Sequence, residues 1–513
     1  MRLRAALAGA IAGVVAMLVF AVAALLLRSL GVPLPLELVS DRFLPFLPVE
    51  TFLKLVSAMG GFVAGKKIGF FAFFLSLIPI GAAIGAAYGL AATRFRPARL
   101  WLGLVAGAVV TWLVLVAVLY PALDSSYRGL PPGRAALVTA VSLLVLLGLV
   151  AGSLAFFHRL AAAPPAREPG TDDGPLLRRG PVVLGLAGSA LALASGGLVK
   201  RLYDRSAIPY DGLETRAAKV DPITPNDRWY VVTKNFVDPR VDRSLWRLEL
   251  RGLVENESSI SFEELEAMPS VEQVTTLECI SNGIGAGLIS NAVWRGVPLA
   301  QLLENVGVES GATHLFARGS DGYGHGLTLE KGMEETTLVV YRMNGEPLPD
   351  RHGYPARLIV PGGYGEMSVK WLDRVEVRDE PEQGLYESQG WRAERVHTMS
   401  RIDRPLGRRK LRVGRPVAVN GVAFAGDRGI DRVELSTDGG RNWREVDLDY
   451  NASKLTWALW SGEWTPERAG MHELIVRATD GDGNPQESKK EPINPDGASG
   501  YHKVKVKVEA GEA

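Results

Sequence analysis

Five apolar runs, each at or near the length a helix needs to cross a bilayer, fall within the first two hundred residues of this chain. They extend over about Ala5–Leu27, Gly69–Ala92, Leu100–Leu119, Ala135–Phe157 and Pro181–Val199. A hydrocarbon core of ~30 Å takes roughly 20 mostly apolar residues to cross. A backbone inside it must satisfy its own hydrogen bonds, so runs of this kind are restricted to helices. The stretch Leu34–Phe62 is also apolar, but prolines and charges interrupt it. It is expected to be an interfacial or re-entrant piece, with a sixth span as the alternative. From Arg201 onward the texture is that of a water-soluble protein. The expected division is a membrane region over 1–200, a linker over 201–228, and soluble domains over 229–404 and 405–513.

Short loops rich in Lys and Arg stay on the cytoplasmic side. With five spans, Arg2 and Arg4, then Arg94, Arg96 and Arg99, then Arg159, Arg167, Arg178 and Arg179 all share one side, while Lys66 and Lys67 stand against the pattern. This places the soluble part in the periplasm or at the cell exterior, below a multi-pass anchor in membrane lipid. Arg178-Arg179 followed by "GPVVLGLAGSALALASGG" resembles a twin-arginine export signal; an ordinary basic flank leads to the same direction. Haem carriers hold their iron between histidines on facing helices, and of seven histidines only His158 precedes residue 201. Anchoring is therefore the expected role of the spans.

Beyond the linker, short β-like runs alternate with short helices, which indicates an α+β domain. Ser261 and Glu264 have the spacing of a capping box. After about Pro405 the pattern turns all-β, with Asp438-Gly439-Gly440 as a hairpin turn. This suggests an immunoglobulin-like sandwich, read as a packing or dimerisation module. The formal charge of +1 supplies no footprint for nucleic acid.

"TLECISNGIG", Thr276–Gly285, holds the one cysteine of the chain. Exported domains use cysteines in pairs, so three readings stay open from the residues alone: an inert buried thiol, a nucleophile served by His314, His325 or His352, and a thiolate ligand to a metal.

Three segments, "TLECISNGIGAGLISNAVWRGVPLAQLLENVGV", "DGYGHGLTL" and "YRMNGEPLPDRHGYPARLIVPGGYGEMSVKWLDRVEV", resemble the molybdopterin-binding domain of the sulfite oxidase family. "GVAFAGDRGIDRVELSTDGGRNW" is similar to that family's C-terminal dimerisation domain. The resemblance runs from about Trp229 to the end. It implies a molybdenum-molybdopterin cofactor whose metal is bound by Cys279, with His352, Arg357 and Lys370, the last preceded by Ser368 and Val369, holding pterin and phosphate. Asn235 is similar to an asparagine beside the metal in the family's sulfoxide-reducing branch, Lys234 to a neighbouring cofactor contact, and Tyr323 to the active-site tyrosine of sulfite oxidases. Arg318 is expected to reach the cofactor phosphate or a substrate anion.

The chain departs from the sulfite oxidases where it reads "TKNF" in place of an Arg and a His, and "GIGAG" in place of a basic pair. Those are cationic features that an anion calls for. The expected activity is oxo transfer on a small oxo-donor or oxo-acceptor substrate, either sulfite oxidation or sulfoxide reduction. Electrons then pass to or from a separate carrier, a cytochrome or membrane redox protein, and the sandwich suggests a homodimer. The competing expectation is a noncatalytic transport or sensor protein with a ligand-binding soluble part.

Overall fold

The computed structural model describes residues 2–162, 179–204, 220–392, 395–405 and 410–510. Arg167, Arg178 and residues 205–219 of the expected linker lie outside them.

The apolar runs form helices α1 (Arg2–Ser29), α4 (Phe62–Ala92), α5 (Pro97–Leu119), α6 (Pro132–Ala162) and α7 (Arg179–Asp204). Four of these, all but α7, are long and apolar enough over the described residues to cross a membrane. The segment expected to be interfacial folds into α2 (Pro35–Phe43) and α3 (Val49–Ala58), nine and ten residues long. At 1.5 Å per residue neither reaches across a bilayer, which removes the sixth span. Both helices instead approach the soluble domain.

Small residues set how α1 meets α4. A Cβ on Gly85 would stand 2.1 Å from the carbonyl oxygen of Gly9, and one on Gly13 1.9 Å from that of Gly81. The two backbones touch along this glycine seam, the geometry small residues permit between membrane helices.

The soluble part begins with two five-stranded sheets. One runs β2 (Ser258–Ser261), β1 (Arg247–Gly252), β10 (Leu372–Arg378), β5 (His314–Gly319) and β6 (Gly324–Thr328). The other runs β3 (Val271–Glu278), β4 (Ile289–Pro298), β7 (Leu338–Met343) and β8 (Glu346–Pro347), with β9 (Arg357–Ile359) on β7. Interleaved strand order with short helices between makes this the expected α+β domain. A core including Trp246, Leu299, Leu358 and Trp371 fills the space around them. The capping box forms: the Ser261 hydroxyl accepts from the Glu264 amide while the Glu264 carboxylate accepts from the Ser261 amide.

The C-terminal part pairs eight strands edge to edge around Val419, Val433, Trp460 and Val476, the immunoglobulin-like all-β domain. Its hairpin turns at Asp438, whose carboxylate accepts from the amides of Arg441 and Asn442, while Gly439 and Gly440 take φ of 78° and 90°.

Candidate functional site

Cys279 follows the last residue of β3, and the loop from there to β4 is closed by one side chain. The Asn282 amide donates to Glu278 at 2.7 Å and its oxygen accepts from the Leu288 amide at 2.9 Å. The tail of this loop presses on the β-sandwich. Gly285 has φ of 74°, a Cβ there would lie 2.4 Å from the His502 ring, and Arg401 donates to the Ala286 carbonyl. "GIGAG" thus packs on the sandwich at its centre, with no room for a side chain at Gly285, while Gly283 faces open space.

The Cys279 sulfur contacts the Ser281 hydroxyl at 3.1 Å and faces a cavity of about 290 Å³. Burial, only partly offset by the Ser281 contact, pushes the thiol up to about 11. Among the described residues no histidine hydrogen-bonds to it, so the geometry of an activated thiol nucleophile is not assembled. The glycine-rich turn of "PGGYGEMSVK" is pinned beside it: the Gly365 amide donates to the Glu278 carbonyl at 2.7 Å, and the Tyr323 hydroxyl donates to the Glu366 carbonyl at 2.9 Å.

Seven of the expected residues line the same cavity: Cys279, Tyr323, Lys234, His352, Arg357, Ser368 and Lys370. His352 Nε2 lies 3.1 Å from the Asn226 carbonyl, which can only accept, so this nitrogen carries the proton. Burial, with Lys370 and Arg357 nearby, lowers its pKa to about 3, and the ring is neutral. Arg357 donates to the carbonyls of His352 and Ser368 and stacks on Trp294, so it ties two loops together as well as facing the cavity. Lys370 donates to the carbonyls of Val232 and Arg351 at 3.1 and 3.2 Å, and burial lowers its pKa to about 8.

Three expected residues stand elsewhere. Asn235 is buried with its amide donating to Asp321 at 2.8 Å and its oxygen 3.4 Å from the Tyr127 hydroxyl, behind the cavity wall. Val369 points into the core. Arg318 is turned away, paired with Asp124 of the loop after α5 and donating to Pro121. The reason is electrostatic: a carboxylate from the N-terminal region claims the guanidinium before any cavity anion can reach it.

The unexpected wall is N-terminal. Ser40, Leu44, Phe52, Val56, Met59, Gly65 and Lys66 close the cavity over Cys279. Phe52, Val56 and Met59 are spaced i, i+4, i+7, one helical stripe. Asp41 of α2 reaches down to Lys234 at 2.6 Å. Burial pushes this carboxyl up to about 6 against the pull of the ammonium, so the pair is ionised at neutral pH. Sequence patterning missed this because α3's apolar face reads equally well as a lipid contact. Glu366 was also missed; it lines the cavity, and burial, reinforced by Glu387, pushes its carboxyl up to about 8.

The donor set suits an anionic, polar, metal-bearing group: one soft sulfur, three ammonium groups and a guanidinium on the wall of a largely apolar chamber that also carries Asp321 and Glu366. Comparison with known proteins agrees. The model of the oxidoreductase molybdopterin binding domain matches residues 235–386, and that of the Mo-co oxidoreductase dimerisation domain matches residues 393–509. The chain is 29% identical over 345 residues to a sulfite oxidase of Arabidopsis thaliana, covering 56% of this chain and 88% of that one. It is 31% identical to the mitochondrial sulfite oxidase of Homo sapiens, covering 56% and 62%, so it spans about three-fifths of that relative's length. It also matches a nitrate reductase of Hordeum vulgare at 30% identity over 50% and 36% of the two chains. The crystal structure of the sulfane dehydrogenase SoxCD from Paracoccus pantotrophus aligns with a TM-score of 0.51 and 26% identity, covering 58% of this chain and 86% of that one.

Proposed function

Because this chain belongs to the sulfite oxidase family of molybdenum-molybdopterin oxidoreductases, we propose that it is a membrane-anchored enzyme performing oxo transfer on a small sulfur-centred substrate, with sulfite oxidation as the first reading and sulfoxide reduction as the second. The observation that carries this is the position of Cys279: the one thiol of the chain opens onto the cavity that Lys370, His352 and Tyr323 also line. The membrane region is taken as 1–200, the linker as 201–228, the catalytic domain as 229–404 and the dimerisation-type domain as 405–513. The positive-inside pattern supports a catalytic domain outside the cytoplasm, and the match to a dimerisation domain supports a homodimer.

In this reading Cys279 holds the metal through sulfur, while Lys370, Arg357, Ser368 and His352 hold the pterin and its phosphate. Bound there, the cofactor supplies the two-electron exchange of an oxygen atom. The protein's part is to bind, orient and exclude water. Neutral His352 donates to the Asn226 carbonyl, which would fix the orientation of its ring on the cavity wall where the cofactor is to be held. The Tyr323 hydroxyl spends its proton on the Glu366 carbonyl, which leaves its oxygen as an acceptor toward the cavity. Glu366, neutral near pH 7, is placed to exchange a proton with the oxygen that is gained or lost. Phe52, Val56 and Met59 keep bulk water from the chamber, which strengthens each of these contacts. With a single cysteine the chain has no set of thiolates for an iron–sulfur cluster, so electrons pass to or from a separate cytochrome or membrane redox protein.

Molybdenum analysis tests the proposal. The full chain purified from a host that makes the cofactor is expected to hold one molybdenum per chain and to lose it in Cys279→Ser with its circular dichroism unchanged. A metal-free wild-type chain from that host sinks the reading. Assaying sulfite against methionine sulfoxide with an artificial carrier then separates the two substrates.

A further inference from the structure

Lys66 is the fifth residue of α4, a helix of the membrane region, yet its ammonium lies on the wall of the cavity over Cys279. It donates to the carbonyls of Thr233 and Asn235, at 2.5 and 3.0 Å. Lys370 donates to Val232 and Arg351 from the catalytic domain. The two ammonium groups therefore bracket the segment 232–235 from opposite domains.

Their electrostatic situation differs from that of Lys234 between them. Lys234 is neutralised by Asp41. Among the described residues neither Lys66 nor Lys370 has a carboxylate within ion-pair distance; their hydrogen bonds go to backbone carbonyls, and the Lys370 ammonium also lies 4.5 Å from the centre of the Trp371 ring. The buried Asp238 carboxylate accepts from the Thr233 hydroxyl at 2.9 Å and contacts neither ammonium directly, although its charge acts on both from a distance. Each ammonium has three N–H groups: Lys66 spends two, which leaves one for the cavity, and Lys370 spends two with the Trp371 ring beside the third. Two ammonium groups that share the distant charge of one buried carboxylate, Asp238, are incompletely neutralised, and partly enclosed cations of this kind are costly. An anion that enters between them removes that cost.

We propose that Lys66 is an oxyanion-binding residue of the catalytic cavity, forming with Lys370 a clamp for one tetrahedral oxyanion across the seam between membrane region and catalytic domain. The proposal rests on the oxidoreductase reading and extends it. The membrane region supplies a cation that "GIGAG" lacks and that "TKNF" offers only as Lys234, already paired with Asp41, so the site is complete only when the two parts are docked. The oxyanion is either the cofactor's phosphate or a sulfur oxyanion substrate, and both present the same chemistry to the clamp.

Lys66→Gln and Lys66→Arg in the full chain, purified in detergent, tell these sources apart. If the clamp holds the cofactor phosphate, Lys66→Gln loses at least tenfold in molybdenum per chain while Lys66→Arg keeps it. If it holds the substrate, molybdenum stays and both the KM for sulfite and the inhibition constant of sulfate rise at least tenfold in Lys66→Gln, with kcat unchanged. Unchanged molybdenum, KM and sulfate inhibition overturn the proposal. A measurement on the unmutated chain guards against a variant that does not fold. Acetylation of Lys66, read by mass spectrometry against exposed Lys54, is expected to be at least tenfold slower with either cofactor or excess sulfate present than with both removed. Equal rates in all three preparations overturn it as well. A wild-type chain that never acquires molybdenum sinks the oxidoreductase reading instead, and the sulfate protection of Lys66 is then read on its own.

Discussion

Arg28, at the end of α1, and Glu37, in the first turn of α2, form an ion pair at 3.0 Å with side chains only 5% and 2% exposed. The same guanidinium lies 3.7 Å over the Tyr127 ring and donates to the Val237 carbonyl at 2.7 Å. One arginine thus joins a long apolar helix, the segment that roofs the cavity, and the catalytic domain. Removing one partner of a buried pair leaves an unpaired charge and costs about 3–5 kcal/mol. Arg28→Ala is expected to lower the denaturation midpoint of the detergent-solubilised chain accordingly. The double change Arg28→Met with Glu37→Leu is expected to recover most of the loss, since no charge is then stranded. A single variant as stable as the parent contradicts this account.

Asn282→Ala tests how the thiol is held. The amide closes the Cys279 loop from both sides. Its loss leaves a buried carboxylate and a buried amide without their partner, each costing about 1–3 kcal/mol. Molybdenum per chain should fall severalfold while the far-ultraviolet circular dichroism stays as it was. Full metal content in the variant would show that the loop is held by its packing on the sandwich alone.

Glu366 gives a pH dependence with a definite sign. Unfolded, its carboxyl ionises near 4.5, and in the folded chain burial raises this to about 8. Between these values the folded state retains the extra proton, so stability falls as pH rises through that window, by at most ~1.4 kcal/mol per pH unit from this group. Melting temperature measured from pH 5 to pH 8 should therefore decline less steeply in Glu366→Gln. Parallel curves would place the carboxyl's titration outside the window.

The glycine seam predicts a contrast among the N-terminal apolar helices. Gly85→Leu puts side-chain atoms where the Gly9 carbonyl stands and should destabilise the α1–α4 contact by about 1–3 kcal/mol. Gly107→Ala, with nothing within 4 Å of its new methyl, should leave thermal stability in detergent unchanged. Equal effects from both would mean that helix propensity, and not the seam, governs this region.

Much of this was legible beforehand because it is written in local patterns. Apolar length marked the helices, period-two alternation and turn residues marked the sandwich, and the order of motifs around Cys279 marked the cofactor family. The segment Leu34–Phe62 was legible as neither a span nor a loop, and its place above the cavity was not. An amphipathic helix presents the same apolar stripe whether lipid, protein or a cavity receives it. Lys66 looked like a misplaced topology signal for the same reason: its charge is visible in the sequence, but the carbonyls of Thr233 and Asn235 that receive it are far along the chain.

The sequence by itself determined the kinds of elements, the contrast between the long apolar helices and the domains that follow them, and the identity of the cofactor, since each depends on residue type and short-range spacing. Only the tertiary structure decided which residues share the cavity. It turned Arg318 to Asp124, drew Asn235 behind the wall toward Asp321, and brought Lys66 and α3 over Cys279. Those outcomes follow from competition among charges and apolar faces distant in sequence, and that competition is settled only when the chain is packed.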